Sequence, residues 1–381
     1  MRVVIVRREP KVAFSMDVYA DCLVAGLKEV RPNWEIVEIS PQAWCDEDAA
    51  DLWQSGNPLR KYYERFYNFP RTINKLEADL FHIIDHTDGH IAYGLKKAGR
   101  SVVITCHDLV QYVYPEILKN EARFPAFSLA VWQYSVKGMT AADGTIAISN
   151  HTAQDITKWL DVDPAKITTI YNGVKSNFGS TDRTVVAQLR SKYTASDAEI
   201  CLLNIGTNHQ RKNLETVFKV LKKMRGDSIP VRLWKVGEDF YPEQKQYIED
   251  NNLTEHITWV NSPDRDTLTQ FYYAADLLLA PSLYEGFGLT ILEAMACGLP
   301  TVTSNVSAVP EVAGDAAILV EPTDVAAIAQ AVTNIQQDSN LRQSLIERGK
   351  ARVEEFTWRK TAEQAALFYE QIVAARQKVL V

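Results

Sequence analysis

Short apolar runs alternate with helix-length segments along most of this chain. Most of the runs are apolar at nearly every position rather than at every second one, which is typical of parallel strands covered on both faces by helices. The pattern therefore predicts an α/β fold built from parallel sheets. The runs that predict strands are 3–6, 102–105, 144–149, 201–206, 231–237, 256–260, 276–281 and 301–304.

The length of the chain predicts two domains. Its 381 residues exceed the roughly 250–300 residues at which a single hydrophobic core stops growing. Segment 171–184 is rich in Asn, Gly and Ser, and it separates one βα array from a second one. We expect domains over 1–175 and 176–358, followed by an amphipathic helix over 359–381 that can pack on either domain, including back on the first.

Composition and charge exclude several classes of protein. The formal net charge of −7 provides no overall positive field, so we expect no nucleic-acid partner. No apolar run approaches the roughly 18 residues that a spanning helix needs, and the first residues lack the pattern of a signal peptide. The 5 cysteines include no C-x-x-C pair and predict reduced thiols. These features together predict a cytoplasmic protein.

Two glutamates eight positions apart, Glu285 and Glu293, flank a turn that reads YEGFG. A strand is predicted to end at Pro281, and a helix beginning at 289 is predicted to end at Gly298. The free amides at such a helix start, with the positive end of its dipole, bind anionic groups. Taken alone, the pair is more typical of one solvated and one capping glutamate, and the surrounding residues favour a binding role.

Cationic and imidazole side chains follow two other predicted strands. Arg211 and Lys212 stand just before a predicted helix, and a guanidinium beside an ammonium suits a diphosphate. His107 follows strand 102–105, at the carboxyl end where open α/β sheets bind ligands. A solvated basic turn and a structural histidine are the alternative interpretations.

Several of these segments resemble the retaining GT-B glycosyltransferases of family 4. The resemblance is dense from about 102 to 324 and looser over the first hundred residues. It implies a GT-B architecture, in which two Rossmann-like β/α/β domains face each other across a cleft and the second binds a nucleotide sugar. The segments that carry it read TCHD (105–108), AISNHTAQDI (147–156), ITTIYNGV (167–174), GTNHQRKNLE (206–215) and the whole of 282–324.

The resemblance also implies a role for each candidate residue. Glu293 is implied to bind the donor ribose, and Glu285 a hydroxyl of the donor sugar. Arg211 and Lys212 are implied to hold the diphosphate and to stabilise its charge as it leaves. His107 is implied to face the donor sugar from the other domain. The residues whose backbone amides are implied to contact the sugar or the phosphate are Gly286, Phe287, Gly288, Leu289 and Thr290.

The implied reaction is metal-independent transfer of a hexose, with retention, from a nucleotide diphosphate sugar to a glycan or a lipid-linked acceptor. No cofactor is expected beyond the donor, which is of the GDP-mannose or UDP-glucose type. The form GTNHQRKNLE is similar to family members that transfer mannose, which favours GDP-mannose. One feature departs from the family: members often carry a Gly-Gly turn after the first strand, and this chain has no glycine before Gly26.

Segment 57–76 is a candidate for the acceptor side or for membrane contact. It interleaves five aromatic residues with basic ones, a composition that suits an anionic membrane surface or stacking against sugars. The alternative is a surface helix whose aromatics pack inward. Its basic residues are Arg60, Lys61, Arg65, Arg71 and Lys75.

Candidate metal sites are weak, and three other functions stay open. Asp-x-Asp occurs at 46–48, 161–163 and 264–266, each time in a predicted polar turn. His82, His86 and His90 recur every fourth residue, but 79–84 reads as a strand rather than a helix. We therefore expect no metal site. The open alternatives are a nucleotide-sugar epimerase or hydrolase of the same fold, a phosphorylase, and a non-catalytic nucleotide-sugar or glycan-binding protein.

Overall fold

The chain forms two compact units, each built on one six-stranded parallel sheet. The first unit comprises residues 1–173 and 358–381, and the second comprises 174–357. The sequence placed these divisions after 175 and after 358. The computed structural model describes residues 1–9, 14–42, 58–116, 125–174, 182–194, 196, 198–261 and 263–380.

The sheet of the first unit has the strand order β2-β1-β3-β4-β5-β6, and every pair is parallel. The central strands β1, β3, β4 and β5 are buried along almost their whole length, which explains their continuous apolar sequences. The edge strands β2 and β6 are half-exposed. The strands are β1 Arg2–Val6, β2 Glu35–Ile39, β3 Leu80–Ile83, β4 Val102–Cys106, β5 Gly144–Ala147 and β6 Ile167–Thr169.

Helices cover both faces of this sheet. A π-helical turn, Glu64–Asn68, joins α2 to α3. The C-terminal helix α17 packs against α1, where a Cβ on Gly26 would lie 2.7 Å from the Cβ of Ala362, so glycine permits the close approach. The helices are α1 Phe14–Val30, α2 Pro58–Tyr63, α3 Phe69–Ile73, α4 Ile91–Lys97, α5 Val110–Val113, α6 Pro125–Val136, α7 Gly138–Ala141, α8 Asn150–Leu160 and, from the chain end, α17 Trp358–Leu380.

The sheet of the second unit has the strand order β12-β11-β10-β7-β8-β9. The direction of winding reverses at β7, which pairs with β8 on one side and with β10 on the other. In open parallel sheets, the carboxyl ends of strands at such a reversal form the ligand site. The strands are β7 Ile200–Gly206, β8 Val231–Gly237, β9 Ile257–Val260, β10 Leu277–Ala280, β11 Thr301–Ser304 and β12 Ile318–Val320.

The helices of the second unit connect these strands and enclose a core rich in Leu and Val. Across the described ranges of both units, no helix is both long enough and apolar enough to cross a bilayer. The helices are α9 Arg183–Tyr193, α10 Leu214–Gly226, α11 Pro242–Asp250, α12 Arg265–Ala274, α13 Leu289–Ala296, α14 Val309–Ala313, α15 Val325–Gln337 and α16 Ser339–Val353.

All eight strands predicted from apolar runs are confirmed, with ends displaced by at most two residues. These eight runs do not include β3, which is predicted separately by the strand-like segment 79–84, and the sequence predicts no strand at β2, β6 and β12, which lie at the edges of the two sheets. These strands carry fewer buried residues than the central ones, so their sequences lack the continuous apolar run on which the prediction depended.

Candidate functional site

Two loops meet where β7 and β10 end in the second unit. The loop after β7 contains a single 3₁₀ turn, Gln210–Lys212, and the loop after β10 leads into α13. The amide of Leu283 donates to the carbonyl oxygen of Arg211 at 2.7 Å, which joins the two loops directly. The cationic pair and the first glutamate, which lie far apart in sequence, are thereby brought together.

Glu285 is held between the two cations. Its Oε2 lies 3.0 Å from Nη1 of Arg211, and its Oε1 lies 2.6 Å from Nζ of Lys212. The hydroxyl of Ser282 donates to Oε1 at 2.8 Å. The residue is only 8% exposed, so these contacts form in an environment of low dielectric constant. The structure thus groups three of the predicted site residues around the buried carboxylate of Glu285, and the two cations are partly exposed. We call this group the charge cluster: Arg211, Lys212 and Glu285.

The charge cluster keeps Glu285 ionised. Burial by itself raises the pKa of the carboxyl, but the charges of Lys212 and Arg211, with hydrogen bonds from Lys212 and Ser282, outweigh it and lower the pKa to about 2. Each carboxylate oxygen has two lone pairs, so Glu285 retains capacity to accept a hydrogen bond from a ligand hydroxyl. That contact with a sugar stays a prediction.

Asn213 fixes the position of the loop after β7, which we call the cationic loop because it carries Arg211 and Lys212. It adopts a left-handed backbone conformation at φ 57° and precedes α10. Its side-chain amide donates to the carbonyl oxygens of Pro281 at 2.9 Å and Pro322 at 2.7 Å, rather than accepting from the first amides of the helix. The sequence predicts Asn213 or the preceding turn as a helix cap, but its partners lie about 70 and 110 positions away, so the local sequence does not identify this role.

The turn after Glu285 places a helix start at the same edge of the sheet. Gly288 has φ 100°, a conformation that favours glycine, and α13 begins at the next residue. The amides of Leu289 and Thr290 open the helix and have no acceptor within it. Phe287 is buried with its ring edge-on to Phe356 at a centroid distance of 5.8 Å. The amides of this turn are therefore candidates for anion binding, as the resemblance implied.

Glu293 has partners of its own, separate from the charge cluster. Its Oε2 accepts a hydrogen bond of 2.7 Å from the hydroxyl of Tyr272, a buried residue of α12. Burial raises the pKa of Glu293, while the Tyr272 hydrogen bond and the charge of Arg265 act in the opposite direction. Tyr272 orients one carboxylate oxygen and was missed from the sequence, because nothing local pairs a tyrosine of α12 with a glutamate of α13.

His107 lies in the first unit, whereas the other predicted site residues lie in the second. Its Nε2 donates to the carbonyl oxygen of Ile84 at 2.8 Å, and the ring of Tyr19 stands edge-on at a centroid distance of 4.8 Å. Burial lowers the pKa of His107, with Asp85 opposing. The imidazole is therefore neutral at pH 7, with Nδ1 as the hydrogen-bond acceptor. Its contact with a donor sugar stays a prediction.

The histidines and acidic pairs considered as metal ligands have other partners. His82 in β3 is hydrogen-bonded to Thr105 and Tyr369, and His90 to Ser135 and a backbone carbonyl. Asp264 caps α12. In the described ranges no three His, Cys, Asp or Glu side chains are grouped as a metal ion would require. The acidic run 46–48 lies outside the described residues.

Replacing Glu285 by Gln tests the charge cluster. We expect E285Q to lower the free energy of unfolding at neutral pH by about 3 kcal/mol, because one pKa unit corresponds to about 1.4 kcal/mol and the carboxyl pKa falls from its ordinary 4.5 to about 2. A carboxyl group whose pKa is lowered in the folded state stabilises the fold above about pH 4.5, and this stabilisation is lost as the pH falls towards 2. The urea-unfolding midpoints of both proteins, measured from about pH 7 to about pH 3, should therefore differ most at neutral pH and approach each other below about pH 4.5.

Glu249, exposed on α11, provides the matched control for this substitution. E249Q should unfold like the original protein throughout the pH range, because an exposed charge contributes little to stability. Equal unfolding midpoints of E285Q and the original protein at neutral pH would show that the buried ion pairs do not hold the two loops together.

Two family models cover most of the chain between them. The Glycosyltransferase Family 4 model matches residues 30–178, and the model for Glycosyl transferases group 1 matches residues 186–352. The second match contains the charge cluster, the helix start of α13 and Glu293, while the first contains His107.

Sequence relatives and a solved structure agree with these matches. The chain is 25% identical over 318 residues to the serotype-specific mannosyltransferase WbdA of Escherichia coli, covering 80% of this chain but only 38% of that relative. It is 28% identical to O-antigen chain mannosyltransferase B of Escherichia coli over 70% of each chain. Sucrose-phosphate synthase from Thermosynechococcus elongatus has the same fold, with a TM-score of 0.76, 21% identity and coverage of 98% of this chain and 100% of that one. The chain therefore belongs to the group 1 glycosyltransferases of family 4, a family of the GT-B type.

Proposed function

We propose that the chain is a retaining glycosyltransferase that moves a hexose, mannose or glucose, from a nucleotide diphosphate sugar to a glycan or a lipid-linked acceptor without a metal ion. The observation that carries the proposal is the charge cluster beside the start of α13, at the point where the second sheet reverses its winding. A partly exposed cationic pair and a helix start at such a position suit an anionic ligand.

The diphosphate of the donor binds between the cations of the charge cluster and the amides of Leu289 and Thr290. As the anomeric C–O bond breaks, negative charge develops on the departing phosphate oxygen, and fixed donors stabilise it. The acceptor oxygen bonds to the anomeric carbon on the face from which the diphosphate leaves, and its proton passes to a phosphate oxygen. Glu285 holds both cations in position, and the remaining lone pair on its Oε2 accepts from a sugar hydroxyl.

Glu293 binds the ribose of the donor. Tyr272 occupies Oε2, which leaves Oε1 for the ribose diol and fixes the plane of the carboxylate. Two relatives are named mannosyltransferases, which supports GDP-mannose as the donor, with UDP-glucose as the alternative.

Thermal unfolding with a panel of UDP-, GDP- and ADP-sugars tests the donor. We expect one nucleotide class to raise Tm by several degrees, because ligand at about 100 times Kd stabilises the folded state by about 2.7 kcal/mol. A chelator should leave this shift unchanged. E293A should weaken binding of that nucleotide sugar by about tenfold to a hundredfold, because it removes the hydrogen bonds between the ribose and a charged carboxylate.

The matched control is E249A, which removes an exposed glutamate of the same unit and should leave the shift intact. If the folded protein responds to no nucleotide sugar, the proposed donor site is wrong. If the donor is consumed equally fast without any acceptor, an epimerase or hydrolase is favoured, and a requirement for inorganic phosphate identifies a phosphorylase.

We further propose that the first unit attaches peripherally to an anionic membrane from the cytoplasmic side. Three side chains of α2 and the π-helical turn recur every fourth residue and so lie on one face of this segment, and α6 carries two more aromatics; each of the five is at least half exposed. Tyr62 joins the two groups through its contact with Phe127 at a centroid distance of 5.7 Å. We call the exposed set the aromatic patch: Leu59, Tyr63, Tyr67, Phe127 and Tyr134.

Along α2, the π-helical turn and α3, the exposed face carries basic residues and the inward face carries aromatic ones. Arg60 and Arg71 are exposed, and the guanidinium of Arg71 lies over the ring of Tyr67 at 4.8 Å. Phe66 and Phe69 face inward, where Phe66 packs on His90 and Phe69 is buried. The aromatics therefore divide between core and surface, and the exposed half combines apolar rings with positive charge, as a membrane surface requires.

Co-sedimentation with phosphatidylcholine vesicles, with and without phosphatidylglycerol, tests the attachment. We expect binding only to the anionic vesicles, and the double variant R60Q/R71Q should bind about tenfold or more weakly, at about 1 kcal/mol per basic residue. K219Q/K222Q, which removes two exposed charges of the second unit, should bind like the original protein. Equal sedimentation of both double variants, or binding to neutral vesicles alone, would contradict the attachment.

A further inference from the structure

Lys235 is a lysine completely buried within a strand. It lies in β8, and its relative exposure is 0%. Its Nζ donates to the carbonyl oxygen of Gly206 at 2.6 Å, and more weakly to those of Glu238 at 3.4 Å and Val236 at 3.5 Å. Within the described part of the chain, the ammonium forms no ion pair with a carboxylate.

Gly206 lies between Lys235 and Lys212. Lys235 binds its carbonyl oxygen, whereas a Cβ built on Gly206 would lie 3.5 Å from Cε and 3.8 Å from Nζ of Lys212. On the neighbouring strand, a Cβ on Gly237 would come within 2.3 Å of the same carbonyl oxygen. The carboxyl ends of β7 and β8 are therefore in close contact, and the segment that carries Arg211 and Lys212 begins there.

Placing a charged ammonium group at a buried strand position is energetically unfavourable. The effective penalty for removing such an ion from water is several kcal/mol, and backbone carbonyls recover only part of it. An apolar side chain of similar length would fill the same space without this cost. The positive charge of Lys235 attracts an anion that binds on the other side of the loop after β7. The low dielectric constant of the protein interior strengthens this attraction.

We propose that Lys235 is a positioning residue for the donor diphosphate. It holds the carbonyl oxygen of Gly206, and so the start of the cationic loop, and its charge adds to those of Arg211 and Lys212. The inference rests on the proposed function, because the anion is the diphosphate of the nucleotide sugar.

The protonation of Lys235 gives the proposal a pH signature. Burial lowers the pKa of Lys235 to about 8; Glu238 opposes the shift and the charge of Lys212 adds to it. Glu238 itself is exposed and accepts a hydrogen bond from the amide of Asn208 at 3.1 Å, so it neutralises the ammonium only weakly. The free protein therefore loses this charge above pH 8, and affinity for a diphosphate should fall there.

Calorimetric titration with GDP, UDP and the matching nucleosides guanosine and uridine tests the role. We expect K235M to bind the preferred nucleoside diphosphate about tenfold more weakly, while its affinity for the nucleoside changes less than about twofold. K235R, which keeps the charge, should retain the preference for the diphosphate. K222M, which removes an exposed lysine of α10, should bind like the original protein.

The pH profile provides a second measurement. Diphosphate affinity of the original protein should decline from about pH 7.5 to about pH 9.5, and K235M should lack most of this decline. An equal loss of nucleoside and diphosphate affinity in K235M would assign Lys235 a purely structural role, and unchanged diphosphate affinity would exclude any role in binding. If K235M does not fold, loss of the diphosphate preference in K235R, or a flat profile in the original protein, overturns the inference.

Different results would contradict the proposed function and the role of Lys235. If the original protein binds neither nucleoside diphosphate, the proposed function itself fails. If it binds one of them and K235M binds it equally well, only the role of Lys235 is wrong.

Discussion

The buried contact of Glu285 with Arg211 and Lys212 determines how the site of the second unit is assembled. A carboxylate in this position is stable only because two cations and a hydroxyl satisfy it. In return, the carboxylate holds two basic side chains close together in a place where they would otherwise repel each other. Loss of either side of the cluster leaves charge buried without compensation, so the loops after β7 and β10 depend on one another.

The topology of the sheet makes that contact possible. β7 pairs directly with β10, although more than 70 residues separate the two in sequence, and both strands deliver their loops to the same edge. The start of α13 and Glu293 lie on the helix that follows β10, and Tyr272, which binds Glu293, lies on the helix that precedes β10. Lys235 reaches the same edge from β8, the other neighbour of β7, so three adjacent strands contribute to one place.

Much of the fold is readable from the sequence because the central strands are buried on both faces. Runs such as 231–237 and 301–304 match their strands at both ends, whereas the half-exposed edge strands β2, β6 and β12 carry no comparable signal. The turn and helix around Glu285 are also predictable, since Gly288 and Gly298 mark the ends of α13.

The remaining features of the site depend on contacts between distant residues. Asn213, Tyr272 and Lys235 find their partners on other elements, and nothing in their local sequence identifies those partners. Lys235 in particular reads as a polar interruption of an apolar strand. The resemblance implied different roles for Glu285 and Glu293, and the structure gives each carboxylate a different set of partners. The local sequence predicts which residues belong to the candidate site, whereas the partners of each side chain depend on the packing of distant elements.

The most direct measurement is a crystal structure of the protein with the nucleoside diphosphate that it binds. We expect phosphate oxygens within hydrogen-bond distance of Arg211 and Lys212, close to the first amides of α13, and ribose hydroxyls on Glu293. A nucleotide bound with its phosphates away from these residues, and with Glu285 and its cations unchanged, would contradict the assignment of the charge cluster as the donor site.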